Sequence, residues 1–570
     1  MPTSTSTRSV PPAAGQPPSG VVLPLAHEWS EVFHGQAGVS LAAALRQWLP
    51  SRRWFRGKAR TMESISLREQ IAVPMGRQKA FLLLFEVNYG DNCPELYVQP
   101  LACAFGPRAA AIGRDWPQLI LARVALNHPR RNGVLYDALV SKEFCRALLT
   151  LTAHRRLVAG RRGELEAEPT GLLRRIRREQ RFDLEPSVSK AEQSNSSIIF
   201  GNRVILKFFR RLDPGINPEL EIERFLAARG FAYSPPLAGS LEYRDYRGRT
   251  STLAVLTSFI PGCHDAWEDT LRALRSFYRR VQRLDAPSEP ASSVMQPPDS
   301  IFGQTSLPEK PGGLVGSYLK DAATLGRRTA ALHLTLASDA TDPSFRPEPW
   351  TPQAQRSFFA SLQQLTQQNF SLLRQRLPGL GPNARMLAEK VVPLESQIMH
   401  RLHRITERAM ETTRIRTHGD YHLGQVLHHG KDFLIIDFEG EPALSLQERR
   451  IKQSALRDVA GMIYSFCYAA HAAAQEQRGP QSLQLSLEKQ SAWARYWSVW
   501  VGTTFLRTYL AAARTAPFIP ADELALKILL DVELLRKAIY ELGYELNNRP
   551  NWVNIAFQVL LDLLNPENPI

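Results

Sequence analysis

The sequence predicts an α+β protein of two lobes, a small β-rich one followed by a large, mostly helical one, with a further α+β module in front. Three observations carry this. Segments that alternate apolar and polar residues with period two cluster between 64 and 101 and again between 187 and 260. From about 318 onward the pattern is helical almost throughout, and stretches rich in Pro, Ser and Gly separate these blocks. At 570 residues the chain exceeds a single core and fits two to four domains.

Residues 1–22 are rich in Pro, Ser, Thr and Ala without an apolar core segment, so they read as a disordered tail and not a signal peptide. An N-terminal module follows over 23–135. Leu41–Leu49 predicts a short amphipathic helix leading into Arg53-Trp54-Phe55-Arg56-Gly57-Lys58, and Ser64–Leu67, Ala80–Val87 and Glu95–Leu101 predict a small sheet. Residues 136–260 take up intermediate helices, expected over about 135–180, and then the small lobe. There Ser187-Val188-Ser189 reads as a strand and Glu192–Ser197 as a loop of small residues. Ile198–Phe200 and Val204–Phe209 read as a hairpin turning at Gly201-Asn202. Asn217-Pro218 opens a helix, with Pro near its start, and Leu253–Pro261 reads as the last strand and a hinge. Residues 261–570 form the helical lobe. A Pro/Ser-rich surface insertion over Ala286–Gly313 precedes helices at Tyr318–Leu336, Pro352–Leu377, Ala384–Thr413, Arg457–Gln475, Gln490–Arg514 and Asp522–Asn547.

The chemistry concentrates in Thr417-His418-Gly419-Asp420-Tyr421-His422-Leu423-Gly424-Gln425, followed by Phe433-Leu434-Ile435-Ile436-Asp437-Phe438-Glu439. A carboxylate, an amide oxygen five residues on and a second carboxylate after the next strand have the spacing of a kinase phosphoryl-transfer site; Gln replaces the usual Asn and Glu the usual Gly. Phosphoryl transfer needs charge neutralisation and in-line placement more than covalent chemistry. Asp420 is therefore expected to accept the proton of the acceptor hydroxyl, while Gln425 and Asp437 offer hard oxygens for Mg²⁺. Lys207, alone among apolar residues on its strand, is expected to bind the α- and β-phosphates of ATP. Glu221 would fix its ammonium, with Glu219 and Glu223 as rivals. Ser194, Asn195 and Ser196 would cover the phosphates, and Thr257 and Phe259 would flank the nucleotide. The order of strand, loop, strand, lysine strand and glutamate helix is that of a protein-kinase-like fold. His418 and His422 flank Asp420; one is expected to hold the loop, and both are candidates for the acceptor pocket. Lys537, Tyr540 and Tyr544 share a helix face at i, i+3 and i+7, with Glu541 beside them. Such a face suits a neutral polyhydroxylated acceptor.

The net charge of +15 brings no nucleic-acid-binding motif with it, since the Arg residues are spread along helices. Five scattered cysteines show no metal-ligand spacing and read as reduced thiols. With no apolar run of membrane-span length, the expectation is a cytoplasmic protein without nucleic-acid or membrane partners.

Together the motifs resemble bacterial maltokinases, both free-standing and fused to trehalose synthase. The matching segments include Arg53–Arg60, Glu192–Ser196, Leu206–Arg211, Gly215–Glu221, Gly326–Leu334, His418–Leu427, Asp437–Pro442, Leu456–Met462 and Tyr544–Trp552. The resemblance implies a cap domain over 23–135. It implies ATP and Mg²⁺ as cofactors and transfer to the anomeric hydroxyl of maltose, giving maltose 1-phosphate for α-glucan synthesis, with trehalose synthase as a partner. It implies that Lys537, Tyr540 and Tyr544 contact maltose. The competing expectations are a kinase for another sugar or aminosugar such as glucosamine, and a catalytically silent nucleotide-binding scaffold.

Overall fold

The structure is a computed structural model describing residues 21–76, 78–91, 93–179, 184–188, 195–283, 313–476 and 487–565. Residues 1–20 of the N-terminal tail, all but the last residue of the 286–313 insertion, and Ser194 lie outside the described residues, while Val22, expected in the tail, already opens a strand. The chain divides into two compact units. One holds residues up to Glu221 together with Pro236–Pro261; the other holds Ile222–Pro235 and Gly262–Ile570.

The first unit contains two seven-stranded sheets among its described residues. The first sheet runs β1 (Val22–Leu25), β5 (Ile120–Leu126), β6 (Arg131–Asp137), β4 (Glu95–Phe105), β3 (Gln78–Tyr89) and β2 (Met62–Met75). Its central strands are buried on both faces, which explains the near-continuous apolar run Ala80–Val87. Leu83, Phe85 and Val87 face a core with Trp48, Trp54 and Phe55. Leu82 and Leu84 face a second core, shared with the other sheet. That sheet runs β7 (Leu157–Ala159), β8 (Gly163–Pro169), β13 (Leu237–Asp245), β14 (Thr250–Ser258), β11 (Val204–Phe208), β10 (Ser196–Phe200) and β9 (Pro186–Val188). A two-residue strand, β12 (Arg211–Leu212), leaves the second sheet's connection and pairs with β4 of the first.

The 135–180 region is not simply helical. Between helices Lys142–Ala153 and Gly171–Arg178 it contributes β7 and β8. In β8 Leu165 and Ala167 point into the core while the three glutamates alternate with them, so a period of two overrides the helical reading.

The second unit is helical around one large core. Helices at Tyr318–Leu336, Pro352–Arg376, Leu456–Glu476, Leu487–Ala513 and Glu523–Asn548 lie within three residues of their expected bounds. The expected Ala384–Thr413 helix is broken into Pro382–Val391 and Glu395–His403 because Pro393 sits between them and lacks the N–H a continuous helix needs. A last helix, Val553–Leu564, packs its apolar face into the same core. The hairpin β18 (Val426–His429) and β19 (Asp432–Ile435) follows Gln425 directly and ends just before Asp437.

Candidate active site

In the first unit, Lys207 on β11 has its ammonium 2.6 Å from the Glu219 carboxylate, in the first turn of the helix Pro218–Ala228. Glu219 therefore takes the place expected of Glu221. Two residues along a helix is about 200° of rotation, so only one of the two can face the strand. The turn of the β10–β11 hairpin decides a second point. Gly201 and Asn202 both have positive φ (52° and 53°), as a tight hairpin turn requires. The strands, however, resume pairing at Phe200↔Val204, so Arg203 also belongs to the turn. A strict two-residue turn would have set Ser196 opposite Lys207. The added residue sets Ser197 there and Ser196 opposite Phe208. One residue of slip moves a side chain to the other face. Ser196, expected at the phosphates, thus lies on the core side, where it accepts a hydrogen bond from Arg210 Nε (3.0 Å). Ser197 shares the face of Lys207, as do Val255 and Thr257 on β14. Phe259, just past β14, is half-buried, its N–H bonded to the Arg203 carbonyl.

In the second unit, the segment Thr417–Gln425 is held from behind by a buried carboxylate within the matching segment Leu456–Met462, to which the sequence assigns no role. Asp458, buried in the helix Leu456–Glu476, accepts the backbone N–H groups of His418 (2.7 Å) and Gly419 (3.0 Å). His333 Nε2 lies 3.0 Å from the same carboxylate, and its Nδ1 lies 2.9 Å from the Tyr509 hydroxyl. Burial opposes the charge on Asp458, but these donors outweigh it and hold its pKa below the usual carboxylate value. Gly419 turns with φ +86°, a conformation that suits glycine. His418 is fully buried, its Nε2 2.9 Å from the Ile436 carbonyl, so it braces the loop against the Asp437 segment and does not line an acceptor pocket.

The residues expected on the acceptor side gather around Asp420. Lys537 Nζ lies 3.7 Å from Asp420 Oδ1 and 2.7 Å from Glu541 Oε1. His422 Nε2 lies 4.0 Å from Asp420 Oδ2. The Tyr540 ring lies 5.3 Å from the ammonium. Burial disfavours a charged Lys537, yet Glu541, Asp420 and Glu441 overcome it and raise its pKa. Burial, reinforced by Lys537, lowers the pKa of His422, with Asp420 opposing the shift. Tyr544, a turn further on, is 41% exposed, with the Arg549 guanidinium over its ring at 5.2 Å. Glu441 is buried between Arg457 (2.8 Å) and Arg536 (3.3 Å), which pins the segment after Asp437 to two helices.

Gln425 and Asp437 are neighbours because the Ile436 N–H donates to the Gln425 carbonyl (3.0 Å). Asp437 adopts φ +67°, uncommon for a residue with a side chain, and its carboxylate lies within 4.8 Å of that of Glu439. Glu439 is a candidate ligand that sequence reasoning passed over, although it stood in the quoted motif. The Asp437 and Glu439 carboxylates offer hard oxygens of the kind that fits a magnesium ion.

Residues 48–140 match the maltokinase N-terminal cap domain, and residues 184–440 match the phosphotransferase enzyme family. The chain therefore carries a domain that matches a family of phosphotransferases. More particularly, it carries a maltokinase cap domain ahead of a phosphotransferase-family domain. A glucosamine kinase of Streptacidiphilus jiangxiensis is 24% identical over 378 residues, covering 65% of this chain and 72% of the relative. A glucosamine kinase of Mycolicibacterium smegmatis is 29% identical over 152 residues, 26% of this chain and 34% of its own length. The solved structure of a glucosamine kinase in complex with glucosamine, ADP and inorganic phosphate has the same fold. Its TM-score is 0.56 at 19% identity, over 87% of this chain and 93% of the other. Among the described residues no helix is long and apolar enough to cross a membrane.

Proposed function

We propose that this protein is a maltokinase, transferring the γ-phosphate of ATP to the anomeric hydroxyl of maltose to give maltose 1-phosphate for α-glucan synthesis. The observation that carries the choice of acceptor is the buried Lys537 ammonium, 3.7 Å from Asp420. A neutral sugar hydroxyl can accept from that ammonium while Asp420 takes its proton; the ammonium of an aminosugar would meet like charge there. The cap domain supports the same reading. Asp420 acts as the base that orients the hydroxyl, and Lys207, fixed by Glu219, binds phosphate oxygens. Gln425, Asp437 and Glu439 would hold magnesium, which supplies charge neutralisation on the phosphates when bound. Trehalose synthase is the proposed partner that supplies the metabolic context.

The relatives named glucosamine kinase favour a second reading, in which an aminosugar is the acceptor. A panel of maltose, glucose, glucosamine and trehalose with ATP separates the two, with products identified by phosphorus and proton NMR. Turnover of maltose, with the phosphorus coupled to the anomeric proton, is the expected result. Turnover of glucosamine alone would overturn it.

A further inference from the structure

Arg210 lies two residues beyond the β11 strand that carries Lys207, and its guanidinium is fully buried. Its partners divide between two parts of the chain. From the cap come Asp137 Oδ2 (2.6 Å), Gln99 Oε1 (3.3 Å) and the face of Trp54, whose centroid is 5.2 Å away. From the second sheet comes Ser196 Oγ (3.0 Å), at the point where the chain enters β10. The backbone repeats the link, since the Val98 N–H donates to the Arg210 carbonyl (2.8 Å) and β12 continues the pairing with β4. Burying an arginine–aspartate pair gains little net stability, because the desolvation cost offsets the attraction. What such a pair fixes well is position: the planar guanidinium directs each N–H along a set line.

We propose that Arg210 is a positioning residue through which the cap sets the nucleotide-binding face of the second sheet. Asp137, Gln99 and Trp54 hold the guanidinium, and its Nε–H pins Ser196. The strand pleat then fixes the adjacent Ser197 opposite Lys207. The Arg53–Lys58 signature of the cap gains a role by this route, because Trp54 forms one wall of the arginine's site. The inference rests on reading Lys207 as the phosphate-binding lysine.

The test is isothermal titration of the full chain with Mg-ATP, alongside acceptor KM, for Ser196→Ala, Arg210→Lys, the double variant and Lys207→Met, with melting temperatures recorded. Ser196→Ala and Arg210→Lys should each weaken Mg-ATP binding about fivefold and leave the acceptor KM unchanged. The double variant should be no worse than Arg210→Lys, since coupled residues are not additive. Should Arg210→Lys fail to fold, Ser196→Ala decides alone, because it removes only a hydroxyl. Wild-type ATP affinity in Ser196→Ala, with Lys207→Met defective, would overturn the coupling. Wild-type affinity in Lys207→Met would instead overturn the nucleotide reading.

Discussion

Asp420 and Lys537, 3.7 Å apart, form the pair on which the proposed catalysis and acceptor choice rest. Replacing Asp420 with Asn keeps the shape and removes the base; kcat should fall by about 10²–10⁴, the range that general-base groups contribute. Mg-ATP should still bind by calorimetry, and retained turnover would remove Asp420 from its role. Lys537→Met should raise the acceptor KM about tenfold with the ATP KM unchanged, and should narrow the preference for a neutral sugar over glucosamine. The same lysine carries a pH prediction. Its pKa is raised above 10.5 by Glu541, Asp420 and Glu441 against the cost of burial. Its stabilising contribution is complete below pH 10.5 and is lost as pH rises through the higher folded value. Acceptor KM should therefore stay flat from neutral pH to 10.5, and a rise with a midpoint below 10.5 would contradict the geometry. His422, whose pKa lies below 6.5, is neutral in that range and adds no competing charge.

At the scale of elements, the helix Leu456–Glu476 is the bed of the Thr417–Gln425 loop. A Cβ on Gly461 would lie 2.5 Å from the Tyr421 carbonyl oxygen, so helix and loop touch backbone to backbone. Gly461→Ala must push them apart. It should cost about 1–3 kcal/mol in denaturant unfolding and lower kcat more than it alters either KM. Asp458→Asn keeps an oxygen but turns two hydrogens toward groups that are themselves donors. A loss on the order of 2 kcal/mol is expected for that buried anion, with a matching fall in kcat. If kcat is unaffected while stability drops, the anchor is structural only. Much of this scale was legible beforehand. Most helix ends, the positive-φ hairpin turn and the strand before Asp437 follow from local pattern. The choice of Glu219 over Glu221, and of Ser197 over Ser196, did not. The first depends on the rotation at which a helix docks, the second on one extra residue in a turn, and neither leaves a composition signal.

At the scale of the molecule, the cap and the second sheet of the first unit share a core. Leu82, Leu84, Ala102 and Tyr136 from one side pack in the same cluster as Leu165, Phe200, Leu206 and Leu253 from the other. Deleting the cap would expose that apolar surface to water, at roughly 25 cal/mol per Å². A chain beginning at residue 141 should therefore be insoluble or lack a cooperative thermal transition by circular dichroism. A soluble, cooperatively melting fragment would show the cap to be an independent attachment. Among the arginines behind the positive net charge, several serve internal ion pairs such as those at Glu441 and Asp137.

The sequence by itself determined the kinase-like motif, because two carboxylates and an amide at fixed spacing are local facts written along one loop and one hairpin. It also determined the strand that carries Lys207 and the helix face that carries Lys537, since both follow from periodicity. Tertiary structure alone decided which neighbours those residues meet. Glu219 reaches Lys207, Asp458 holds the loop from a helix forty residues away, His418 turns inward as a brace, and Arg210 joins Ser196 to the cap. These are contacts between segments distant in sequence. They are fixed by how faces pack and how strands register, which no single segment encodes.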